Sequence, residues 1–234
     1  MTQGGDEMIE NHVEGHVVEV SGCSLELLPG RAIYWADAGA LIVSDLHWGK
    51  EATFRHFGLA LPDCLGDDLT RLSMLIERTG ATRVLILGDL VHGKHVNDEG
   101  TLRKIDAWRA NHATVNLQLV LGNHDRKVMR GFERRWEIEG RDHLDEGPFR
   151  FQHAPEAMSG RYVVAGHLHP KFRLSARGLG NHVMPGFLFS NEHAVLPAFS
   201  AFIDHQVIRP KVADRVYVIA EGRVIEVSSA AGKV

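Results

Sequence analysis

Four short phrases constrain this chain more than any other feature: Ser44-Asp45-Leu46-His47, Gly88-Asp89-Leu90, Gly122-Asn123-His124-Asp125 and Gly166-His167-Leu168-His169. Each follows a run of β-branched and aliphatic residues, the pattern of a buried strand. Carboxylate, amide and imidazole groups are thereby set at the carboxyl ends of strands, the edge where open α/β sheets gather ligands. His153 falls between the third and fourth phrases and adds another imidazole.

The segments between the phrases have the periods of strands and helices. Val17 to Val20 and Cys23 to Leu28, which closes on Pro29-Gly30, read as antiparallel strands, followed by Ala32 to Trp35 and Leu41 to Val43. Cys64 to Thr79 places Leu65, Leu69, Leu72, Leu75 and Ile76 at a helical period, and Gly80 stops it. Val84 to Leu87 is a buried-strand run, Leu102 to Asn111 is helix-like, and Val115 to Leu121 is again a strand. Arg126 to Trp136 reads as one further helix, and Phe149 to Gln152 and Tyr162 to Ala165 as strands. Val216 to Ile219 and Val224 to Val227, separated by Glu221-Gly222, form a closing hairpin. Strands alternating with helices, and short strands at both ends, predict a layered α/β domain. Residues 1–15 read as a polar tail and 16–234 as a single domain.

The donors at the strand ends are hard oxygens and neutral imidazoles, which suit Mn²⁺, Zn²⁺, Fe²⁺ or Mg²⁺. Cys23 and Cys64 lack metal-type spacing and are expected to be reduced, mostly buried thiols, which argues against a structural zinc. Two metals about 3.5–4 Å apart need one bridging donor, and Asp89, central in the series, is the candidate. Asp45-x-His47 and His167-x-His169 put donors at alternate positions, which point the same way at a strand end. The last two imidazoles could instead be split between neighbouring metals. Such a constellation points to hydrolysis of a phosphate ester. Cations follow all four phrases closely: Lys50, Lys94, Arg126 with Lys127, and Lys171 with Arg173. If the phrases converge, these cations form a basic rim on an otherwise acidic protein. His92, three residues after Asp89, is expected to support a metal ligand or face the substrate. The net charge of −4 argues against a general nucleic-acid coat. No apolar run approaches the roughly 20 residues that span a bilayer, and Met1 to Glu10 shows no signal-peptide core, so a cytoplasmic location is expected.

The ordered set Asp45-Leu46-His47, Gly88-Asp89, Gly122-Asn123-His124-Asp125, His153 and Gly166-His167-Leu168-His169 resembles the calcineurin-like metallophosphoesterases. The resemblance implies their fold, a β-sandwich flanked by helices with the metal site at the carboxyl ends of the strands. It implies two divalent ions, taken to be Mn²⁺. One would be held by Asp45, His47, Asp89 and His169, the other by Asp89, Asn123, His153 and His167. His124 would stay free of metal, stabilise the transition state and protonate the leaving group, with Asp125 orienting its imidazole. A metal-bridging hydroxide would then attack phosphorus in line, with no covalent enzyme intermediate.

Asp45-Leu46-His47-Trp48-Gly49-Lys50 with Phe54-Arg55, Gly58 to Pro62, Gly166 to Pro170 and Leu196-Pro197-Ala198-Phe199 is similar, further, to the bacterial DNA-ligase-associated metallophosphoesterases. That likeness implies a phosphodiesterase, a nuclease linked to DNA repair, with ligase or helicase partners. Substrate contacts are then expected from Lys50, Arg55, His92, Lys94, Arg126 and Lys171. Two other readings compete: a phosphomonoesterase or pyrophosphate-cleaving hydrolase of a small nucleotide or lipid precursor, and a non-enzymatic, metal-stabilised interaction protein. The apolar segment from Leu196 to Phe202 reads as core.

Overall fold

The computed structural model describes residues 15–59, 62–176, 180–203 and 206–227. All but Gly15 of the expected polar tail therefore lies outside the described residues. Along the chain run β1 (His16–Val20), β2 (Cys23–Leu28), β3 (Ala32–Trp35), β4 (Ala40–Val43), α1 (Lys50–His56), α2 (Cys64–Thr79), β5 (Arg83–Leu87), α3 (Glu99–Asn111) and β6 (Asn116–Val120). After these come α4 (Glu133–Trp136), β7 (Ile138–Arg141), β8 (Leu144–Glu146), β9 (Phe149–Phe151), β10 (Tyr162–Ala165), β11 (Pro170–Ala176) and β12 (Gly180–Phe189). The last strands are β13 (His193–Val195), β14 (Gln206–Val207), β15 (Arg215–Ala220) and β16 (Arg223–Val227).

Two mixed sheets result. The first runs in sequence order from β1 to β7. Its strands are antiparallel as far as β4 and parallel from β4 to β7. The second has the order β14-β11-β12-β13-β10-β9-β8, with β15 joined to β12 and β16 to β15. Alternation along the central strands decides what each side chain meets. Leu41 and Val43 of β4, with Val84 and Ile86 of β5, face α2 and α3. Ile42, Leu85 and Leu87 face the second sheet, where they meet Phe149, Phe151, Val164, Phe187 and Phe189. The fold is thus a β-sandwich with its helices on the outer face of the first sheet.

α2 matches its expected limits because the apolar stripe is bounded by a cap at each end. The Asp63 side chain accepts from the Gly66 amide, and Gly80 takes the left-handed conformation that ends the helix. The segment from Arg126 to Trp136 departs from expectation. Two 3₁₀ turns, Asp125–Lys127 and Met129–Gly131, precede the four residues of α4. Burial of Met129, Phe132 and Trp136 against the helical layer holds this broken path, and Gly131 weakens helix continuity. β11 and β12 pair antiparallel from Lys171↔Pro185 to Ala176↔Gly180. No helix among the described residues is long and apolar enough to cross a membrane.

Candidate metal centre

Each site segment begins where a parallel strand of the first sheet, or β10 of the second, runs out. Asp45 and His47 follow β4, Asp89 follows β5, Asn123 and His124 follow β6, and His167 and His169 follow β10. His153 follows β9, which pairs with β10. The donors do not continue the strand alternation assumed from sequence. Asp45 (φ 55°), His47 (φ 48°), Asp89 (φ 49°), His167 (φ 67°) and His169 (φ 46°) all occupy the left-handed region. Residues with side chains pay for that conformation, and such strain collects where function requires it. Asp45 and His47 do meet in one cluster, through left-handed turns rather than through the pleat, whereas His167 and His169 are split between two clusters.

The turns bring two donor clusters together, Asp45, His47 and His169 in one and Asp89, His153 and His167 in the other, while His47, His92 and His124 form a third close group. Asp45 is fully buried. Its Oδ2 is held by the Ser44 hydroxyl and by the His167 amide, the latter at 3.0 Å. Its Oδ1 has no hydrogen-bond partner and lies 3.1 Å from His169 Nε2. His47 shows the same division, with Nδ1 3.3 Å from His92 Nδ1 and a buried Nε2 that has no hydrogen-bond partner. Buried polar atoms are rarely left unsatisfied in this way. Two such atoms, one oxygen and one nitrogen, on the same cluster fit a cation and fit nothing apolar.

Asp89 lies between the clusters. Its Oδ1 accepts from the His124 amide at 2.9 Å, while Oδ2 is 3.8 Å from His47 Nε2 and 3.5 Å from His153 Nε2. His153 Nδ1 donates to the Leu87 carbonyl at 2.9 Å, so Nε2 faces the cluster. A carbonyl that fixes the far nitrogen of an imidazole is the usual support for a metal-binding histidine. Close packing demands glycine behind these groups. A Cβ at Gly122 would strike the Asp89 carboxylate, and one at Gly166 would strike Ser44 and Asp45.

The protonation preferences of these side chains follow from the same contacts. Burial lowers the His47 pKa to about 3, although Asp45 and Asp89 pull the other way. At His153 burial opposes the charged form, but the hydrogen bond to Asp89 and the charges of Asp45 and Asp89 outweigh it and raise the pKa to about 9. For Asp89, burial works against ionisation and is overcome by the His153 hydrogen bond, so its pKa falls well below the ordinary carboxylate value. Burial followed by the His124 charge lowers His92 to about 4.

Asn123 and His124 are exposed at the mouth of the site. The His124 ring lies 5.1 Å from that of His92, stacked at 20°, and 5.2 Å from that of His47. The role expected of Asp125 needs correction. Its carboxylate accepts from the Gly122 amide at 2.9 Å and the Val91 amide at 3.1 Å, and so ties two site loops together. The His124 imidazole is oriented instead by the His92 carbonyl, 3.0 Å from its Nδ1. Of the expected rim, Lys127 and Arg173 are exposed and Arg126 is held by Asp142 at 2.6 Å. Arg55, expected to contact substrate, is held by Asp98 at 3.3 Å and Glu51 at 3.9 Å. Lys94 is exposed in the 3₁₀ turn Lys94–Asn97. Lys171 is half-buried, and its pKa is lowered by burial and by the charge of Arg31. Lys50 and His92 line a common cavity.

Ser44, which stood in the first phrase without a role, is the hydroxyl that fixes Asp45. Of the segment expected to be core, Leu196, Ala198 and Phe199 are buried, but Phe202 is 36% exposed. The Phe199 amide donates to the Ser44 carbonyl at 2.8 Å, so this late segment braces the first motif. No local signal marks that contact, because its partners are 155 residues apart in sequence.

Residues 40–184 match the model of the calcineurin-like phosphoesterase family. The crystal structure of Pseudomonas putida nuclease MPE is 32% identical, with a TM-score of 0.79, and the match covers 92% of this chain and 100% of that one. A phosphoesterase from E. coli, Yfce, is 16% identical over 78% of this chain and 88% of its own, with a TM-score of 0.38. A protein of unknown function from Aquifex aeolicus is 17% identical over 60% of this chain and 81% of its own, also at 0.38. Scores that low carry no argument. A comparison with curated proteins gave no match. The family match over most of the folded chain, the related structure and the donor clusters agree: this chain belongs to the calcineurin-like phosphoesterases and is a metal-dependent phosphoric ester hydrolase.

Proposed function

We propose that the protein is a dinuclear, Mn²⁺-dependent phosphodiesterase that cuts DNA. The observation that carries this reading is the pair of donor clusters meeting at Asp89, with Asp45 Oδ1 and His47 Nε2 buried and unsatisfied. In this reading Asp45, His47, Asp89 and His169 hold one ion, and Asp89, Asn123, His153 and His167 the other. The chemistry such ions supply is Lewis acidity, which acidifies water and neutralises phosphoryl charge.

The protein's own groups do the rest. His124, exposed and held through Nδ1 by the His92 carbonyl, leaves Nε2 to give a proton to the departing oxygen. His92 supports both neighbours, stacking on His124 and touching His47. Lys50, which lines a cavity with His92, is the cation this reading assigns to a phosphate oxygen. Similarity to a nuclease supports DNA as the substrate. The net charge of −4, with Arg55 and Arg126 already paired, leaves few cations for a phosphate track. Intrinsic affinity for DNA is therefore expected to be low and steeply salt-dependent, with a repair partner such as a ligase or helicase delivering the substrate.

The test is hydrolysis of bis-p-nitrophenyl phosphate by metal-stripped protein, with Mn²⁺, Mg²⁺, Zn²⁺ or Fe²⁺ restored singly. Activity restored by Mn²⁺ and lost in Asp89→Ala is the expected result. Equal or faster turnover of p-nitrophenyl phosphate would overturn the diesterase assignment.

A further inference from the structure

A cavity of about 720 Å³ opens beside the metal centre, lined by Lys50, Thr53, Phe54 and Phe57 on one side and Ala201, Phe202 and Ile203 on the other. His92 closes the end toward the site. The first wall is one face of α1 and its cap, since positions 50, 53, 54 and 57 follow the i, i+3, i+4, i+7 spacing. Such a stripe ordinarily packs into a core. Here Phe57 is 73% exposed, and Phe202 opposite is 36% exposed. Phe54 meets the Phe202 ring edge-on at 5.7 Å, and Lys50 Nζ sits 5.9 Å from the centroid of that ring. The face thus runs from a cation, three residues after His47, to the uncovered ring of Phe57 about 10 Å farther along the helix.

We propose that this cavity is a nucleobase subsite: it takes the base of a nucleotide flanking the scissile phosphate, stacked on Phe57 and Phe202, while Lys50 meets the backbone. The proposal rests on the phosphodiesterase reading and adds to it the chemistry of the flanking group. A purely apolar ligand would need neither the Lys50 cation nor the polar His92, which lie toward the metal site. A planar ring joined to a phosphate matches both ends of the cavity. Its volume lies within the range of small-ligand pockets. Because aromatic faces accept any base, the subsite confers affinity and register without reading sequence.

Two measurements test the subsite. In the first, kcat/KM with restored metal is compared for thymidine 5′-(p-nitrophenyl phosphate) and for methyl p-nitrophenyl phosphate, which lacks a base. Phe57→Ala and Phe202→Ala are expected to lower the first about tenfold more than the second, as loss of one stacked base does. Phe57→Trp should restore the preference. In the second, a tetranucleotide carrying 2-aminopurine is added to the full-length protein in EDTA, so that it binds without being cut. Its fluorescence should be quenched by the wild type and not by either alanine variant. Equal losses on both esters, or quenching that survives both substitutions, would overturn the subsite. If the wild type hydrolyses neither ester with any metal, the phosphodiesterase reading fails, and the quenching experiment alone decides the subsite.

Discussion

At the scale of single residues, the site is a set of divided allegiances. Asp45 gives one oxygen to Ser44 and His167 and keeps the other for the centre, and His153 gives Nδ1 to Leu87 and keeps Nε2. This division sets the orientation of each donor before any ion arrives, so little ordering cost remains at binding. His124 stands outside it, held by hydrogen bonds through its amide and Nδ1 and by stacking on His92. His124→Ala is therefore expected to retain fold and metal content while hydrolysis of phosphodiesters with alkoxide leaving groups falls by about 10²–10⁴-fold. Metal analysis beside turnover checks this, and loss of metal would show that its role lies among the ligands. Gly122→Ala should behave in the opposite manner, since its Cβ would enter the space of the Asp89 carboxylate. Metal content and activity should be lost together while the circular dichroism spectrum stays native.

At the scale of elements, what was legible in the sequence was whatever local pattern dictates. The limits of α2 follow from its apolar stripe and two caps, and β2, β3 and β10 begin and end where their apolar runs do. α1 leaves no local mark in the sequence, because seven residues with a glycine N-cap and no side-chain cap give no such signal. Its place comes from elsewhere: buried Glu51 accepts from the Leu65 amide at 2.6 Å and pins α1 to the start of α2. β11 and β12 carry Pro170, Pro185 and Gly186, all poor strand formers, and it is pairing with each other and with β13, β14 and β15 that makes them a sheet.

α3 offers a test of capping. Asp98 accepts from the Thr101 amide at 2.9 Å, and that bond, more than the nearby Arg55, holds its carboxyl pKa below the ordinary value. A depressed folded-state pKa stabilises above the unfolded pKa and ceases to do so as pH falls through the folded one. Asp98→Ala should accordingly cost about 1 kcal/mol at neutral pH. In urea titrations repeated at decreasing pH, the difference from wild type should shrink once the carboxyl protonates. A difference that stays constant into that range would mean the carboxylate charge is not what caps the helix.

At the scale of the whole molecule, two sheets and a helical layer share one purpose, the alignment of strand ends from different sheets. β4, β5 and β6 belong to the first sheet, whereas β9 and β10, which lead to His153, His167 and His169, belong to the second. The aromatic filling between the sheets therefore sets the distance between donors. Trp35 packs edge-on against Phe149 at 5.2 Å, and Phe149 is fully buried. Phe149→Ala is expected to cost about 3–5 kcal/mol of stability and to weaken metal binding although it touches no donor. Denaturant melts in EDTA give the first quantity and metal titration the second. Ions that bind only the folded chain must stabilise it by mass action. Mn²⁺ should thus raise the Tm of wild type, and the rise should be lost in Asp89→Ala. An equal rise in that variant would place the binding elsewhere.

The sequence by itself determined which donors exist, that they end strands, and that those strands alternate with helices. These properties depend on neighbours a few residues apart, where aliphatic runs, caps and turns act directly. Tertiary structure alone decided the left-handed turns at five donors, the diversion of Asp125 to two backbone amides and the pairing of Arg126 with Asp142. It also set Phe202 opposite α1. Each of these is a choice among partners that the chain meets only after the sheets have closed. Their energies come from burial and from satisfying polar groups in a shared interior, and no local window of sequence contains both sides of those contacts.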